Sequence, residues 1–130
     1  MNTKIFFVFL LILVTTFSIH ADENYNKALA AYEQKNFDTC LTVLKTVIRE
    51  NETNYDAHIL AAYCHVGRKT YSDAIYHLRE VAENSLQHAQ TVRTDIVNLY
   101  FAMGKYKTAR NVGYKYLEAF EDENTKAPLD

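Results

Sequence analysis

The sequence predicts an all-α protein made of three stacked helical hairpins, six helices in total, behind an N-terminal export signal. Only three Gly and one Pro occur in 130 residues, so few positions would interrupt a helix. Apolar residues recur at helical spacing, and a short motif returns about every 34 residues. A fixed period of this length is the sequence signature of a repeat architecture, in which similar units stack to bury a shared core.

The repeated motif is an aromatic residue placed three positions before a small residue. Its aromatic members, 34 and 35 residues apart, are Phe37, Tyr71 and Tyr106. Its small members, with the same spacing, are Cys40, Ala74 and Ala109. This period and pattern resemble the tetratricopeptide repeat, in which each unit is a pair of antiparallel helices. The resemblance is clearest from Tyr100 to Ala109, which reads Tyr-Phe-Ala-Met-Gly-Lys-Tyr-Lys-Thr-Ala.

The resemblance to this family implies a right-handed solenoid of three repeats. The units are predicted at residues 22–53, 54–86 and 87–120, followed by a polar C-terminal tail at 121–130. The first helices of the three units are predicted near residues 23–34, 54–67 and 87–103. The second helices are predicted near residues 37–50, 71–83 and 106–120.

The two ends of the predicted array carry polar residues where the inner units have apolar ones. The position of the second helix that touches the following unit is held by Leu41, then Ile75, then Arg110. The face of the first helix that lies on the preceding unit carries a charge, Lys27, in the first unit only. We therefore expect a stack of three units with polar outer faces at both ends, as repeat proteins require for solubility.

Residues 1–21 have the pattern of a secretory signal peptide. Lys4 is followed by fifteen uncharged residues (5–19), and the small residue Ala21 precedes the charged Asp22. Cleavage is expected after Ala21, which makes the mature chain periplasmic or secreted, with a bacterial envelope as the favoured location. The alternative is an uncleaved anchor, although a helix that crosses the bilayer needs about 20 apolar residues. Once the segment is removed, no stable membrane span is expected.

The family resemblance implies that the first helices line an inner, concave groove. The residues predicted on this stripe, three from each first helix at spacing i, i+4, i+7, are Tyr25, Leu29, Tyr32, Ile59, Tyr63, Val66, Thr94, Asn98 and Phe101. An apolar, Tyr-rich strip suits an extended or helical peptide, because Tyr supplies contact area and a hydroxyl at low entropic cost. The alternative is that the stack closes the groove and these residues belong to the core, since spacing alone does not separate the two.

The two cysteines, Cys40 and Cys64, fall on neighbouring helices in the first and second units. In an oxidising compartment they are candidates for a disulfide, and two buried free thiols are the alternative. The sequence has no catalytic arrangement, phosphate-binding loop or converging set of metal ligands, so no enzyme, cofactor or metal site is predicted. The balance of 14 basic and 16 acidic residues gives no basic face for nucleic acid.

Three functions fit this sequence. The first is an exported interaction module, an adaptor or scaffold that binds a protein or peptide partner in the groove. The second is a structural subunit of an envelope assembly that forms homo-oligomers with copies of itself. The third, disfavoured because the chain has no C-x-x-C motif, is a thiol or redox protein that uses Cys40 and Cys64.

N-terminal sequencing of the protein isolated from its native cells tests the export signal. We expect the mature chain to begin at Asp22, because the apolar run is short and a small residue precedes a charged start. A protein that begins at Met1 and pellets with membranes would establish the anchor instead.

Overall fold

The computed structural model describes residues 22–126, and every regular element in that range is an α-helix. The helices are α1 at residues 22–33, α2 at Phe37–Glu50, α3 at Tyr55–Gly67, α4 at Tyr71–Asn84, α5 at Leu86–Ala102 and α6 at Tyr106–Lys126. The predicted all-α array of helical hairpins is confirmed, while the predicted signal peptide at 1–21 lies outside the described residues. Within the described range, none of the helices is both long and apolar enough to cross a lipid bilayer.

The turn between the two helices of each hairpin has the same geometry in all three repeats. One residue in each turn has a left-handed backbone, namely Lys35 (φ 58°), Lys69 (φ 62°) and Gly104 (φ 72°). In the first turn, the amide of Lys35 donates to the carbonyl of Tyr32. The next amide, that of Asn36, donates to the carbonyl of Ala31. This pair of bonds satisfies carbonyls that the end of a helix would otherwise leave without a partner, and the other two turns repeat it.

Helices α2 and α3 begin at asparagine caps. The side chain of Asn36 accepts a hydrogen bond from the amide of Thr39, at 3.3 Å. The side chain of Asn54 accepts one from the amide of Ala57, at 3.1 Å. Each cap satisfies an amide in the first turn, where a helix has no internal acceptor, and so fixes the start of the helix.

The core forms where an inner first helix lies between two second helices. Helix α3 packs on both α2 and α4, and its buried small residues are Ala57, Ala61, Ala62 and Cys64. Leu44 and Val47 of α2 share one core cluster with α3, and Leu78 of α4 belongs to a second cluster on the other side. Helix α5 takes the corresponding place between α4 and α6. Burial from two sides explains why α3 is apolar around most of its circumference.

Cys40 of α2 and Cys64 of α3 form a disulfide, with their Cα atoms 6.8 Å apart. Both side chains are fully buried in the first core cluster. The bond joins the second helix of the first repeat to the first helix of the second repeat. It therefore links two repeats covalently across the surface where they pack.

Residues 121–126 belong to α6 and do not form the polar tail that the sequence predicted. Helix α6 has 21 residues and continues to Lys126. Its extension contacts α5, where Arg93 donates two hydrogen bonds, of 3.2 and 2.8 Å, to the carboxylate of Glu123. The polar composition of residues 121–126 does not indicate a helix that packs on the stack. The partner of Glu123, Arg93, lies 30 residues earlier in the sequence, so no local pattern predicts the contact.

Replacing both cysteines, Cys40→Ala with Cys64→Ala, is expected to lower the free energy of unfolding. Removing a cross-link that closes a loop of this length costs about 3 kcal/mol, because the unfolded chain gains conformational freedom. Urea denaturation followed by circular dichroism measures the change. A reductant should lower the midpoint of the wild-type protein and leave that of the double variant unchanged. A wild-type midpoint that does not respond to the reductant would contradict the cross-link.

Candidate partner-binding site

The nine residues of the predicted stripe lie on α1, α3 and α5, and none of them is fully buried. Leu29 and Tyr63 are 36% and 37% exposed, and Phe101 is 61% exposed. Thr94 and Asn98 are exposed as well. The other four are half-buried and pack on the two core clusters: Tyr25, Tyr32, Ile59 and Val66. The stripe is thus a surface whose half-buried members rest on the core.

Hydroxyl and carboxylate groups connect the first helices across this stripe. Tyr63 of α3 donates a hydrogen bond to Oδ2 of Asp95 on α5, with 3.3 Å between the oxygens. Burial and the neighbouring charge of Asp95 raise the pKa of the Tyr63 hydroxyl. Burial and then the charge of Asp56 raise the pKa of Tyr25 in the same way. Asp56 also lies 3.5 Å from Nε2 of His88 on α5. The stripe therefore combines aromatic rings with carboxylates that accept hydrogen bonds.

Aromatic pairs lie at both ends of the stripe. The ring of Phe101 at the end of α5 packs edge-on against Tyr106 of α6, with their centroids 4.8 Å apart. At the other end, the ring of Tyr32 lies 6.0 Å from that of Phe37. Rings that are already held by a neighbour lose little conformational entropy when a partner covers them. These pairs therefore suit the role of anchors for a bound chain.

A second concave surface, which the sequence did not predict, lies at the C-terminal end of the stack. It is a cavity of about 380 Å³ between α5 and α6. Its walls include Val97, Asn98, Gly113, Tyr116, Leu117 and Phe120. Thr94 and Asn98 of the stripe also border it. A signal for it was present in the sequence, because Gly113 stands where the first two repeats have Leu44 and Leu78.

The outer face of the stack is polar at its N-terminal end but not at its C-terminal end, where the sequence predicted a polar face as well. Lys27 is exposed and forms an ion pair with Glu23, at 3.0 Å. At the other end Arg110 is exposed as expected, but Leu117 and Phe120 are 52% and 40% exposed. Arg110 alone did not predict the apolar part of this face, because Leu117 and Phe120 follow it by about two and three helical turns.

Three histidines meet between α3 and α4. Nδ1 of His58 lies 3.0 Å from Nδ1 of His77, and the ring of His65 stacks on His77 with centroids 5.5 Å apart. Nε2 of His58 donates to the carbonyl of Glu52, so a neutral His58 accepts at Nδ1 from His77. Within residues 22–126, no set of three His, Cys, Asp or Glu side chains is arranged to hold a metal ion.

Burial favours the neutral forms of two rings of the cluster, His65 and His77. Burial, followed by the charges of His58 and His65, lowers the pKa of His77 to about 4, and Asp73 opposes the shift. Burial also lowers the pKa of His65. The rings of His65 and His77 border a cavity of about 460 Å³ between α2 and α4. Its charged lining residues are Lys45, Arg49, Glu52 and Arg68. A proton added to His77 is therefore disfavoured first by burial and second by the adjacent rings.

Comparison with known families agrees with the observed architecture. A family model described as anaphase-promoting complex, cyclosome, subunit 3, a tetratricopeptide-like repeat family, matches residues 2–81. The match covers more than half of the 130 residues and runs from residue 2, before the apolar run at 5–19, into α4. A comparison of the sequence with curated proteins yields no match.

The neutral histidine cluster predicts a loss of stability in mild acid. His77 binds a proton more readily in the unfolded chain, where its pKa is near 6.5, than in the folded protein, where it is about 4. The cluster should leave stability unaffected above pH 6.5 and lower it as the pH falls from 6.5 towards 4. The loss should be on the order of 2 kcal/mol, after a discount for the partly hydrated ring. Thermal melts across this range measure it.

Two variants serve as controls for this pH dependence. His77→Gln removes the titrating ring of the cluster and should flatten the profile between neutral and mildly acidic pH. His88→Gln lies outside the cluster, beside Ser85 and Asp56, and should keep the wild-type slope. Equal slopes for the wild type and His77→Gln would contradict the role given to this ring.

Proposed function

The chain belongs to the anaphase-promoting complex, cyclosome, subunit 3 family of tetratricopeptide-like repeats, and we propose that it is an interaction module that binds a protein or peptide partner. Helical repeats of this kind present an extended surface to which each unit contributes an equivalent set of residues. The family description names a subunit of a multi-protein complex, which supports a protein as the partner class. Such an architecture provides a binding surface in place of a catalytic centre.

The exposure of large side chains along the stripe carries this proposal. Phe101, Tyr63 and Leu29 are 61%, 37% and 36% exposed, and they come from three different helices. Single exposed apolar residues are common, but a row of them across successive repeats forms a patch of the kind that marks interaction sites. Aromatic residues are also enriched among those that contribute most to binding energy.

The chemistry of the stripe favours an extended or helical peptide with apolar side chains. The rings of Tyr63 and Phe101 provide apolar area for two successive anchors of such a peptide. Beside Tyr63, Asp95 already accepts a hydrogen bond from the Tyr63 hydroxyl and has further acceptor positions on its carboxylate. Backbone amides or a basic side chain of the peptide would complement these positions.

We also propose that the module acts outside the cytoplasm, in the periplasm or beyond the cell. The support is the charge and apolar pattern of residues 1–21, together with the disulfide between Cys40 and Cys64. Disulfides persist in oxidising compartments and are rare in the cytosol. The family match begins at residue 2 and includes the apolar run at residues 5–19, so N-terminal sequencing also decides whether these residues remain in the working protein.

A thiol-dependent activity finds no support among the described residues. Both cysteines are fully buried and joined to each other, whereas a reactive thiol must be reachable and ionised. Self-association, the other alternative, has support of its own in the exposed apolar side chains at the C-terminal end of the stack, Leu117 and Phe120.

Replacing the aromatic residues of the stripe should weaken partner binding without unfolding the protein. We expect Tyr63→Ala and Phe101→Ala each to reduce binding about tenfold or more, because exposed rings act as anchors at little cost to the core. Lys107→Ala and Lys115→Ala, on the outer side of α6, should bind as the wild type does. The partner is captured from extract of the native cells on each immobilised variant and quantified by mass spectrometry.

The conservative variant Tyr63→Phe is the matched control for this experiment. It keeps the ring and loses only the hydroxyl that donates to Asp95, so its binding should fall less than that of Tyr63→Ala. Thermal melts must show that each variant is folded. If a folded Tyr63→Ala protein captured its partner normally while the outer variants failed, the stripe would not be the binding site.

A further inference from the structure

The C-terminal end of the stack has a hole where the inner repeats have a leucine. The residues equivalent to Gly113 are Leu44 and Leu78, which are 0% and 1% exposed beneath the next first helix. A Cβ atom added at Gly113 would contact Cγ2 of Val97 at 3.9 Å, an ordinary van der Waals distance. Packing among the described residues therefore does not require a glycine here. Its effect is to open the cavity of about 380 Å³.

The same face of α6 carries exposed apolar side chains of the size that fills such a hole. Leu117 and Phe120 follow Gly113 by four and seven residues, which places all three on one side of the helix. The two side chains are 52% and 40% exposed. A twofold interface joins one patch to the same patch of a second copy. This face of α6 has both a cavity, beside Gly113, and apolar side chains that can fill one, Leu117 and Phe120. It can therefore pack against the same face of a second copy.

The charges of α6 are separated along its length. The first half carries Lys107, Arg110 and Lys115, and the second half carries Glu118, Glu121, Asp122 and Glu123 before the final Lys126. The helix dipole favours the reverse order, with acidic side chains near the N-terminus and basic ones near the C-terminus. This order does not stabilise α6 through its own dipole, although Glu123 forms an ion pair with Arg93 of α5. Two α6 helices in antiparallel orientation would bring opposite charges together along the whole contact.

We propose that two copies of the chain form a dimer in which their α6 helices pack side by side, antiparallel, across a twofold axis. Arg110 and Glu121 are eleven residues apart, about three turns, so both exposed side chains lie on the same side of α6 as Leu117. In the register that sets Arg110 opposite Glu121 of the second copy, Gly113 lies opposite residue 118 of that copy, one position from Leu117. Leu117 of each copy then fills the hole of the other, and an Arg–Glu pair closes each end.

The size of the contact indicates a reversible dimer. Helix α6 has 21 residues, and a helix of this length is about 30 Å long with a face about 10 Å wide. A face of these dimensions has an area of about 300 Å², so two copies would bury about 600 Å² in total, roughly half the lower limit of about 1,200 Å² for stable specific interfaces and within the range of weak, transient ones. The dimer should therefore dissociate on dilution. Tyr63 and Leu29 of the proposed peptide groove lie on other helices, so substitutions there test the groove separately, whereas Thr94 and Asn98 border both surfaces.

Sedimentation velocity of the purified chain over a wide range of concentrations tests the dimer. The wild type should change from one copy to two as its concentration rises. Arg110→Glu and Glu121→Arg should each weaken association about tenfold or more, because each sets like charges opposite one another. The double variant Arg110→Glu/Glu121→Arg should restore association, since the exchanged pairs attract again in the antiparallel register. Lys115→Glu, a matched charge reversal on the other side of α6, should leave association unchanged.

The variant Gly113→Leu tests the hole directly. Its leucine occupies the cavity from within the same chain, so association should weaken about tenfold or more, while the thermal midpoint of the dilute monomer is kept or raised. A wild type that stays monomeric at every concentration would overturn the dimer. So would a double charge variant that associates no better than the single ones. A monomeric wild type that loses a different bound protein on Gly113→Leu would assign the face to that protein instead.

Discussion

Small side chains on the inner first helices set the dimensions of this structure. Helix α3 can lie close to α2 and α4 at once because it buries small side chains, namely Ala57, Ala61, Ala62 and Cys64. Interiors are packed at the density of organic crystals, so a larger residue at any of these positions would push two hairpins apart. The Cys40–Cys64 disulfide joins the hairpins in this same layer. The stacking of the repeats and the positions of both candidate surfaces depend on this close approach of α3 to α2 and α4.

The close approach also decides where a partner can bind. A first helix that is buried on two sides keeps only a narrow accessible strip, and Tyr63 lies on that strip of α3. At the C-terminal end of the stack no further first helix covers the groove between α5 and α6 within residues 22–126, so Leu117 and Phe120 stay exposed. The two candidate surfaces thus have one origin. One is the uncovered edge of a buried helix, and the other is the uncovered end of the array.

The helices, their order and the positions that share a face could be predicted from local sequence patterns. These properties follow from local spacing, since a helix places residues three and four apart on one side whatever it packs against. The 34-residue period identified the hairpins, and the first helix predicted for the second unit, near residues 54–67, is observed as α3 at Tyr55–Gly67. The same spacing placed Tyr63 and Phe101 on a stripe that reaches the surface. It did not give the depth of that stripe, because depth depends on how closely the neighbouring helix lies.

The features that need two distant residues to meet could be seen only in the folded structure. Residues 121–126 are helical, and Glu123 within them contacts Arg93. No local sequence pattern predicts a partner 30 residues away. The hydrogen bond between His58 and His77 likewise joins two helices whose sequences show no shared motif. Spacing along a helix fixes the direction of a side chain, but the distance between side chains on different helices is set by packing. Packing in turn depends on the sizes of all the residues between them.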